Sequence, residues 1–510
     1  MNLAELIKHL PDATLETPAL SDALNQAVAT EVTSDSRQVK PGSIFVALGG
    51  SRSDGHQFLD SAASQGAALL VIETQRRKTL KLPVNVPVIA VKNTYKALAE
   101  LASVLHGYPG KQMRLVGVTG TNGKTTVTHL IEQMLADQGH KVGLIGTLGR
   151  KSTQKTSYDS TGHTTPMATE LQEILQEMRE EGDQFVVMEV SSHALEQHRV
   201  HGCDFEVAVL TNITQDHLDY HKTMEHYWQA KALLFKGLDA GSGKKRAAVI
   251  NLDSDYAQEF VDATSKDVQL YTYAIHSPKA NVRIANPNYS IAGSSFTVIT
   301  PAGESEVKLK LGGQFSVYNA LAAIAAGLAL GLSLADVVKS IERVPGIRGR
   351  FEVVSEKPYV LVDYAHTPDG LENILNAARA VTPKSGRLIA VFGCGGDRDA
   401  TKRPKMGRIA EQLADLLVIT SDNPRSEDPQ QIITDVISGI QRFDSARMVV
   451  EADRKQAIHQ AIDMAQPEDI IVVAGKGHED YQILADRTIH FDDKEVVQEY
   501  VKQKRELSSV

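Results

Sequence analysis

At 510 residues, with 42% apolar and 23% charged side chains, the chain is too long for one ordinary core and reads as about three globular domains rather than a disordered protein. A net charge of −9 argues against a nucleic-acid binder that works by bulk electrostatics, and two distant cysteines without a CxxC argue against a disulfide framework or a thiolate metal site. A reducing compartment, the cytoplasm, fits best. Residues 1–10 read as the start of a helix rather than an export signal. The most apolar tract, 320–335, falls short of the ~20 residues a membrane span needs and is expected to be a buried helix.

Residues 1–110 alternate short β-like runs (43–47, 68–72, 88–91) with helical stretches, as in a small α/β domain. Its candidate feature is Thr33-Ser34-Asp35-Ser36-Arg37: hydroxyls and a guanidinium could hold a diphosphate, although such clusters more often cap helices. Tyr108-Pro109-Gly110 is a plausible linker.

From 111 to 345 the pattern predicts an α/β nucleotide-binding domain with a mainly parallel sheet. Its marker is Gly117-Val118-Thr119-Gly120-Thr121-Asn122-Gly123-Lys124-Thr125-Thr126, placed between an apolar strand and residues Val127, Leu130, Ile131, Met134 and Leu135 at helical spacing. Glycines turn backbone N–H groups inward, the helix N-terminus adds positive potential, Lys124 can reach terminal phosphate oxygens, and Thr125 can offer its hydroxyl to Mg²⁺. Phe185–Glu189 is an apolar run ending in a carboxylate, the usual presentation of an acid to Mg²⁺. A further strand ends in Thr211-Asn-Ile-Thr-Gln-Asp-His-Leu-Asp-Tyr-His221, so three strand ends converge. His217 and His221 could in principle pair on zinc, but a third ligand is not evident, and a His with Thr125 and Glu189 around Mg²⁺ fits better. Lys231 lies inside the apolar stripe of its helix, where its amine must either snorkel out or lean towards neutrality. Asn319, near the start of the Ala-rich tract, reads as a polar cap.

Residues 346–510 predict a doubly wound α/β domain, with polar loops at four strand ends: Asp363-Tyr-Ala-His-Thr-Pro368, Gly395-Gly-Asp-Arg-Asp399, Asp422-Asn-Pro-Arg425 and Gly475-Lys-Gly-His-Glu479.

The loop Gly120-Thr-Asn-Gly-Lys-Thr-Thr126 has Val118 where the generic phosphate loop has glycine. In this it resembles the Mur ligases, the amide-forming enzymes of peptidoglycan precursor assembly. The segments Glu189-Val-Ser-Ser-His193 and Thr211-Asn-Ile-x-x-Asp-His-Leu-Asp-Tyr-His221 carry the resemblance more specifically, and it runs from the Asp-Ser-Arg segment to Glu479. Folylpolyglutamate synthases share a similar loop, and a ligase of that type or a non-ligase P-loop ATPase stays open as an alternative.

The resemblance implies a three-domain ligase using ATP and Mg²⁺ in two steps, through an acyl phosphate. It implies that the first domain, with Ser36, holds the uridine diphosphate end of UDP-N-acetylmuramoyl-L-alanyl-D-glutamate, and that Thr164, Thr165, Ser191 and Arg199 position its peptide. It implies an ATP site of Gly120, Thr121, Asn122, Gly123, Lys124, Thr125, Thr126, Asn319 (to adenine), Arg350 and Asp363. Thr125, Glu189, His217 and Lys231, the last as a carbamate, would hold the metals. Arg398, Asp422, Asn423, Arg425, Gly475 and Glu479 would bind the incoming amino acid. By the resemblance Arg425 implies meso-2,6-diaminopimelate over L-lysine, since the diaminopimelate-adding ligases carry Arg at the end of this motif, and the physics agrees: a guanidinium can grip the extra carboxylate.

Overall fold

The computed structural model describes residues 1–50, 54–155, 157–238, 244–442 and 446–507. Short Val/Ile/Leu runs become strands covered by helices on both faces, which is why they read as continuous apolar stretches rather than alternating ones. The first sheet runs Thr14–Leu15, Val88–Val91, Leu69–Glu73, Ser43–Val46, Glu31–Thr33, with only its first pairing antiparallel.

The second sheet has seven strands in the order Gln269–Tyr273, Ala247–Asn251, Phe205–Leu210, Arg114–Thr119, Phe185–Glu189, Val142–Gly146, Gly149–Lys151. All of its pairings are parallel except the last. Arg114–Thr119 is therefore central, and its carboxyl end lies between those of Phe205–Leu210 and Phe185–Glu189. One core packs Val116, Val118, Ile131 and Leu321 on one face; a second packs Leu115, Met188, Leu175 and Leu234 on the other.

The third sheet runs Glu352–Glu356, Tyr359–Asp363, Ile470–Ala474, Leu388–Phe392, Leu416–Ile419, Met448–Val450, parallel apart from its first pairing. Leu361, Leu375, Ile419 and Val436 pack on one face and Val362, Val391, Ile458 and Val497 on the other, as a doubly wound sheet requires.

Two expectations need correction. The apolar tract 320–335 is not one helix: Gln314–Ala329 ends at Gly331 (φ 90°), where Gly331 N and Leu332 N donate to Leu328 O and Gly327 O, and Ser333 caps a second helix, Leu334–Ile341. An antiparallel three-stranded sheet, Arg283–Tyr289, Ser294–Thr300 and Gly303–Leu309, also stands where only strand and helix units were expected. No helix among the described residues is long and apolar enough to cross a membrane.

Candidate active site

The strand Arg114–Thr119 passes to the helix Lys124–Asp137 through Gly120 and Gly123, at φ 142° and 86°. A Cβ on Gly120 would fall 1.9 Å from Thr211 Oγ1, and one on Gly123 would fall 2.3 Å from Asn319 Oδ1, so glycine is required at both. The neighbouring strand end holds the loop. Asn122 N donates to Asn212 Oδ1 (3.0 Å), Thr211 Oγ1 donates to Asn122 O (2.6 Å), and the Thr121 and Tyr227 hydroxyls lie 3.0 Å apart. The first-turn N–H groups of the helix, with Thr125 and Thr126 buried beside them, form an anion-binding terminus.

Two lysines meet at this loop. Lys124 Nζ donates to Gly120 O (3.0 Å) and Thr121 O (2.9 Å), and Lys231 Nζ donates to the same Gly120 O (2.8 Å). Lys231 is 2% exposed, so the snorkelling alternative is ruled out. Burial, and then the Lys124 charge, hold its pKa well below the lysine range, with Asp216 opposing. That favours an amine with a free lone pair, the form able to take up CO₂.

Glu189, 1% exposed, accepts from Thr147 N (2.9 Å) and Thr147 Oγ1 (3.1 Å), and Thr147 Oγ1 lies 3.2 Å from Thr164 Oγ1. Thr165 Oγ1 donates to Glu189 O (2.9 Å) and accepts from Ser191 N (3.1 Å), while Arg199 Nη1 donates to Thr165 O (2.9 Å). The structure thus gathers Thr164, Thr165, Ser191 and Arg199 around Glu189. His217, at φ 53°, has its Nε2 3.4 Å from Asp216 Oδ2 and its ring 4.8 Å from that of His193. His221 is buried with Nε2 2.9 Å from Ser192 Oγ. Among the described residues no group of three or more His, Cys, Asp or Glu side chains is placed to hold a metal. A cation here would draw on the Thr125 hydroxyl, Glu189, His217, phosphate oxygens and a modified Lys231, a mainly oxygen set that suits Mg²⁺.

Asn319 is not a helix cap. Its helix begins at Gln314, and the side chain is buried against Gly123 instead. Arg350 arrives from the segment before the third sheet and donates through Nη2 to Thr125 Oγ1 (3.3 Å), its guanidinium 4.9 Å from the Tyr364 ring centre. Its Nε is buried without a hydrogen-bond partner among the described residues, as befits a cation awaiting an anion. Asp363 accepts from Phe351 N (2.7 Å) and Ala365 N (2.9 Å), so it shapes this segment, and burial pushes its carboxyl pKa up.

A cavity of about 1140 Å³ runs from Gln215, Asp216, His217 and Leu218 to Tyr364, His366, Asp369, Arg398, Asp422, Asn423, Arg425, Gly475 and Glu479. Arg425, at φ 54°, spends Nη1 on Gly396 O (2.8 Å) and Asn423 O (3.4 Å). Gly475 is needed where it stands, since a Cβ would fall 2.5 Å from Asp422 Oδ2. Ser36 lines neither this cavity nor the bonds just described. In its segment Asp35 caps a 3₁₀ turn and pairs with Arg37 Nη2 (2.7 Å), the capping role that composition favoured.

Sequence reasoning missed Thr147 and Asn212, which hold Glu189 and Asn122, and Lys476, buried under Glu479. It also missed Asp369, whose carboxyl is pushed up to about 6 by burial and by Asp216 across the cavity. Lys476 left a signal, a lysine between two glycines, and Asn212 stood in the Thr211–His221 segment that carries the resemblance.

Residues 29–106 match the Mur ligase family catalytic domain, 118–327 the Mur ligase middle domain, and 349–477 the Mur ligase glutamate ligase domain. A Synechocystis protein named UDP-N-acetylmuramoyl-L-alanyl-D-glutamate–2,6-diaminopimelate ligase is 46% identical over 98% of both chains. A Bacillus cereus protein of the same name is 46% identical over 92% of this chain and 94% of its own. A solved structure of a ligase so named superposes with a TM-score of 0.67 at 35% identity, covering 94% of this chain and 96% of the other. With its three matched segments spanning most of its length and relatives this similar end to end, the chain belongs to the Mur ligase family.

Proposed function

We propose that the chain is an ATP-dependent ligase that joins meso-2,6-diaminopimelate to UDP-N-acetylmuramoyl-L-alanyl-D-glutamate in the cytoplasm. The observation that carries this reading is the cavity that leads from the strand ends beside the phosphate loop to Arg425 and Glu479. It offers one end to a phosphorylated carboxylate and the other to an amino acid bearing both charges. The names of the full-length relatives support the substrates. The division of the chain near residues 110 and 345 belongs to the same proposal, with Ser36 on the nucleotide-sugar end.

In the first step a carboxylate oxygen of the D-glutamate attacks the γ-phosphorus of ATP, giving an acyl phosphate and ADP. In the second the amine attacks the acyl carbon, phosphate leaves, and an amide forms. The first step brings anion to anion, so its barrier is mainly electrostatic. Lys124 and Arg350 neutralise phosphate charge, the helix N-terminus orients it, and Asn319 lines the nucleotide side. Thr164, Thr165, Ser191 and Arg199 hold the peptide carboxylate in line. Thr125, Glu189, His217 and Lys231 as its carbamate would hold Mg²⁺, which would supply further positive charge at the phosphates. Arg398, Asp422, Asn423, Arg425, Gly475 and Glu479 bind the amino acid.

The test is ADP release by purified protein given the muramoyl dipeptide with either diaminopimelate or L-lysine. Release dependent on diaminopimelate is expected. Preference for L-lysine, or ATP hydrolysis indifferent to both acceptors, would overturn the reading; the first outcome would favour a lysine-adding ligase and the second a P-loop ATPase.

A further inference from the structure

Lys476 is 0% exposed and sits behind the wall of the cavity, whereas Glu479, Asn423 and Tyr481 form that wall. Its flanking glycines, Gly475 (φ 122°) and Gly477 (φ 57°), make the turn that buries it. Its ammonium donates to Glu479 Oε2 (3.1 Å) and Asn423 Oδ1 (3.4 Å) and stands 5.4 Å from the Tyr481 ring centre. Asn423 completes the triangle: Oδ1 also accepts from Ile483 N (2.9 Å), and Nδ2 donates to the same Glu479 Oε2 (2.9 Å). One carboxylate oxygen is therefore tied into the wall by an internal cation and an amide. The mechanism above makes no use of that cation.

We infer that Lys476 is a specificity-determining residue whose buried charge makes this end of the cavity select a terminus carrying ammonium and carboxylate together over a lone ammonium. A lone ammonium entering the pocket is attracted by Glu479 but repelled by Lys476, Arg425 and Arg398, so its net gain is small. A zwitterionic terminus offers its carboxylate to the same cations. Specificity is a difference between two affinities, and Lys476 acts by penalising the competitor as much as by aiding the substrate.

This inference rests on the proposed function, and the experiment separates the two. The kcat/KM values for diaminopimelate and L-lysine are measured for the wild type, Lys476→Met and Lys476→Arg. In Lys476→Met the diaminopimelate-to-lysine ratio should fall at least about tenfold, with KM for ATP within about twofold. Lys476→Arg, which keeps the charge, should hold the ratio near the wild-type value. Should Lys476→Met fail to fold, Glu479→Gln tests the same balance from the cavity side: with the internal cation uncompensated, lysine use should drop further than diaminopimelate use. Parallel losses for both amino acids at an unchanged ratio would make Lys476 a packing residue and overturn the inference. A wild type that does not couple diaminopimelate at all would instead remove the proposed function, and this inference with it.

Discussion

At the carboxyl edge of the seven-stranded sheet, Lys124 and Lys231 direct their amines at backbone carbonyls, whereas in the six-stranded sheet the buried cations lie against carboxylates. Arg403 is held by Asp435 (2.8 Å) and Glu427 (2.8 Å), Arg454 by both oxygens of Asp493 (2.8 and 2.7 Å), and Lys476 by Glu479 (3.1 Å). A buried cation with its own counter-ion is part of the frame, and removing either partner strands a charge. An amine bonded to carbonyls has no counter-ion in its hydrogen bonds: Lys124 is left to meet an anionic ligand, and Lys231, pushed below the lysine range by burial and by Lys124, leans towards the neutral form. Under the proposed function, the comparison separates residues that would bind from residues that hold the binders in place.

The sharpest way to break it is at the loop. Lys124→Ala should fold normally, judged by thermal unfolding, yet lose at least ~10³-fold in ADP formation, about 4 kcal/mol of transition-state stabilisation. Near-normal turnover would place the phosphate elsewhere. Lys231→Arg should be inactive on similar grounds, because a guanidinium cannot become a neutral amine or a carbamate. Lys231→Ala should regain part of its activity when formate or acetate is added; full activity of the Arg variant would end the metal-ligand role.

In the six-stranded sheet the same kind of cut should be felt as stability. Arg454 also donates to Ser421 O (3.3 Å) and Ala474 O (3.0 Å), joining the two strand ends that carry Asp422 and Gly475. Asp493→Ala should therefore cost roughly 3 to 5 kcal/mol in denaturant unfolding, the usual cost of breaking a buried pair. A loss of less than about 1 kcal/mol would show that the pair is not part of the frame. Arg425→Ala lies between the two kinds, since Nη1 is anchored on carbonyls while the residue lines the cavity. About 30-fold or more should be lost in kcat/KM for diaminopimelate, with far less change for ATP.

The last effect concerns protons. Burial, then Arg350 and Arg348, push the His478 imidazole down to about 4, against about 6.5 in an unfolded chain. Between those values the unfolded chain binds a proton that the folded one refuses, so stability is full above about pH 6.5 and falls as pH drops towards 4. A His478→Gln variant should show a flatter dependence of Tm on pH in that window. Identical curves would mean that the ring is not shielded.

Much of this was legible in the chain. The phosphate loop could be read because its strand, glycines and helix are consecutive, and Glu189 because a buried strand announces its own end. The roles of Thr147 and Asn212 could not be read, since each residue acts on a partner brought close only by sheet order: Thr147 on Glu189, Asn212 on Asn122. The strand Arg283–Tyr289 was hidden for another reason. None of its residues is fully buried, it contains Pro287 and it breaks register between Ala285 and Asn288, so it lacks an apolar alternation to detect. The Ala-rich tract misled because composition there outweighed two short stop signals, Gly331 and Ser333.

Arg350 stands on a segment whose next residue, Phe351, is pinned to Asp363, and whose preceding Gly349 is so close to the Gly475–Glu479 loop that a Cβ would fall 2.2 Å from His478 N. Under the proposed function, the side chain that reaches the nucleotide is thus wedged against the loop that receives the amino acid. On that reading any free energy a nucleotide gains from Arg350 is conditional on that wedge, and the two ligands would be thermodynamically linked. Whatever factor the nucleotide lends to amino-acid affinity, the amino acid must return to the nucleotide.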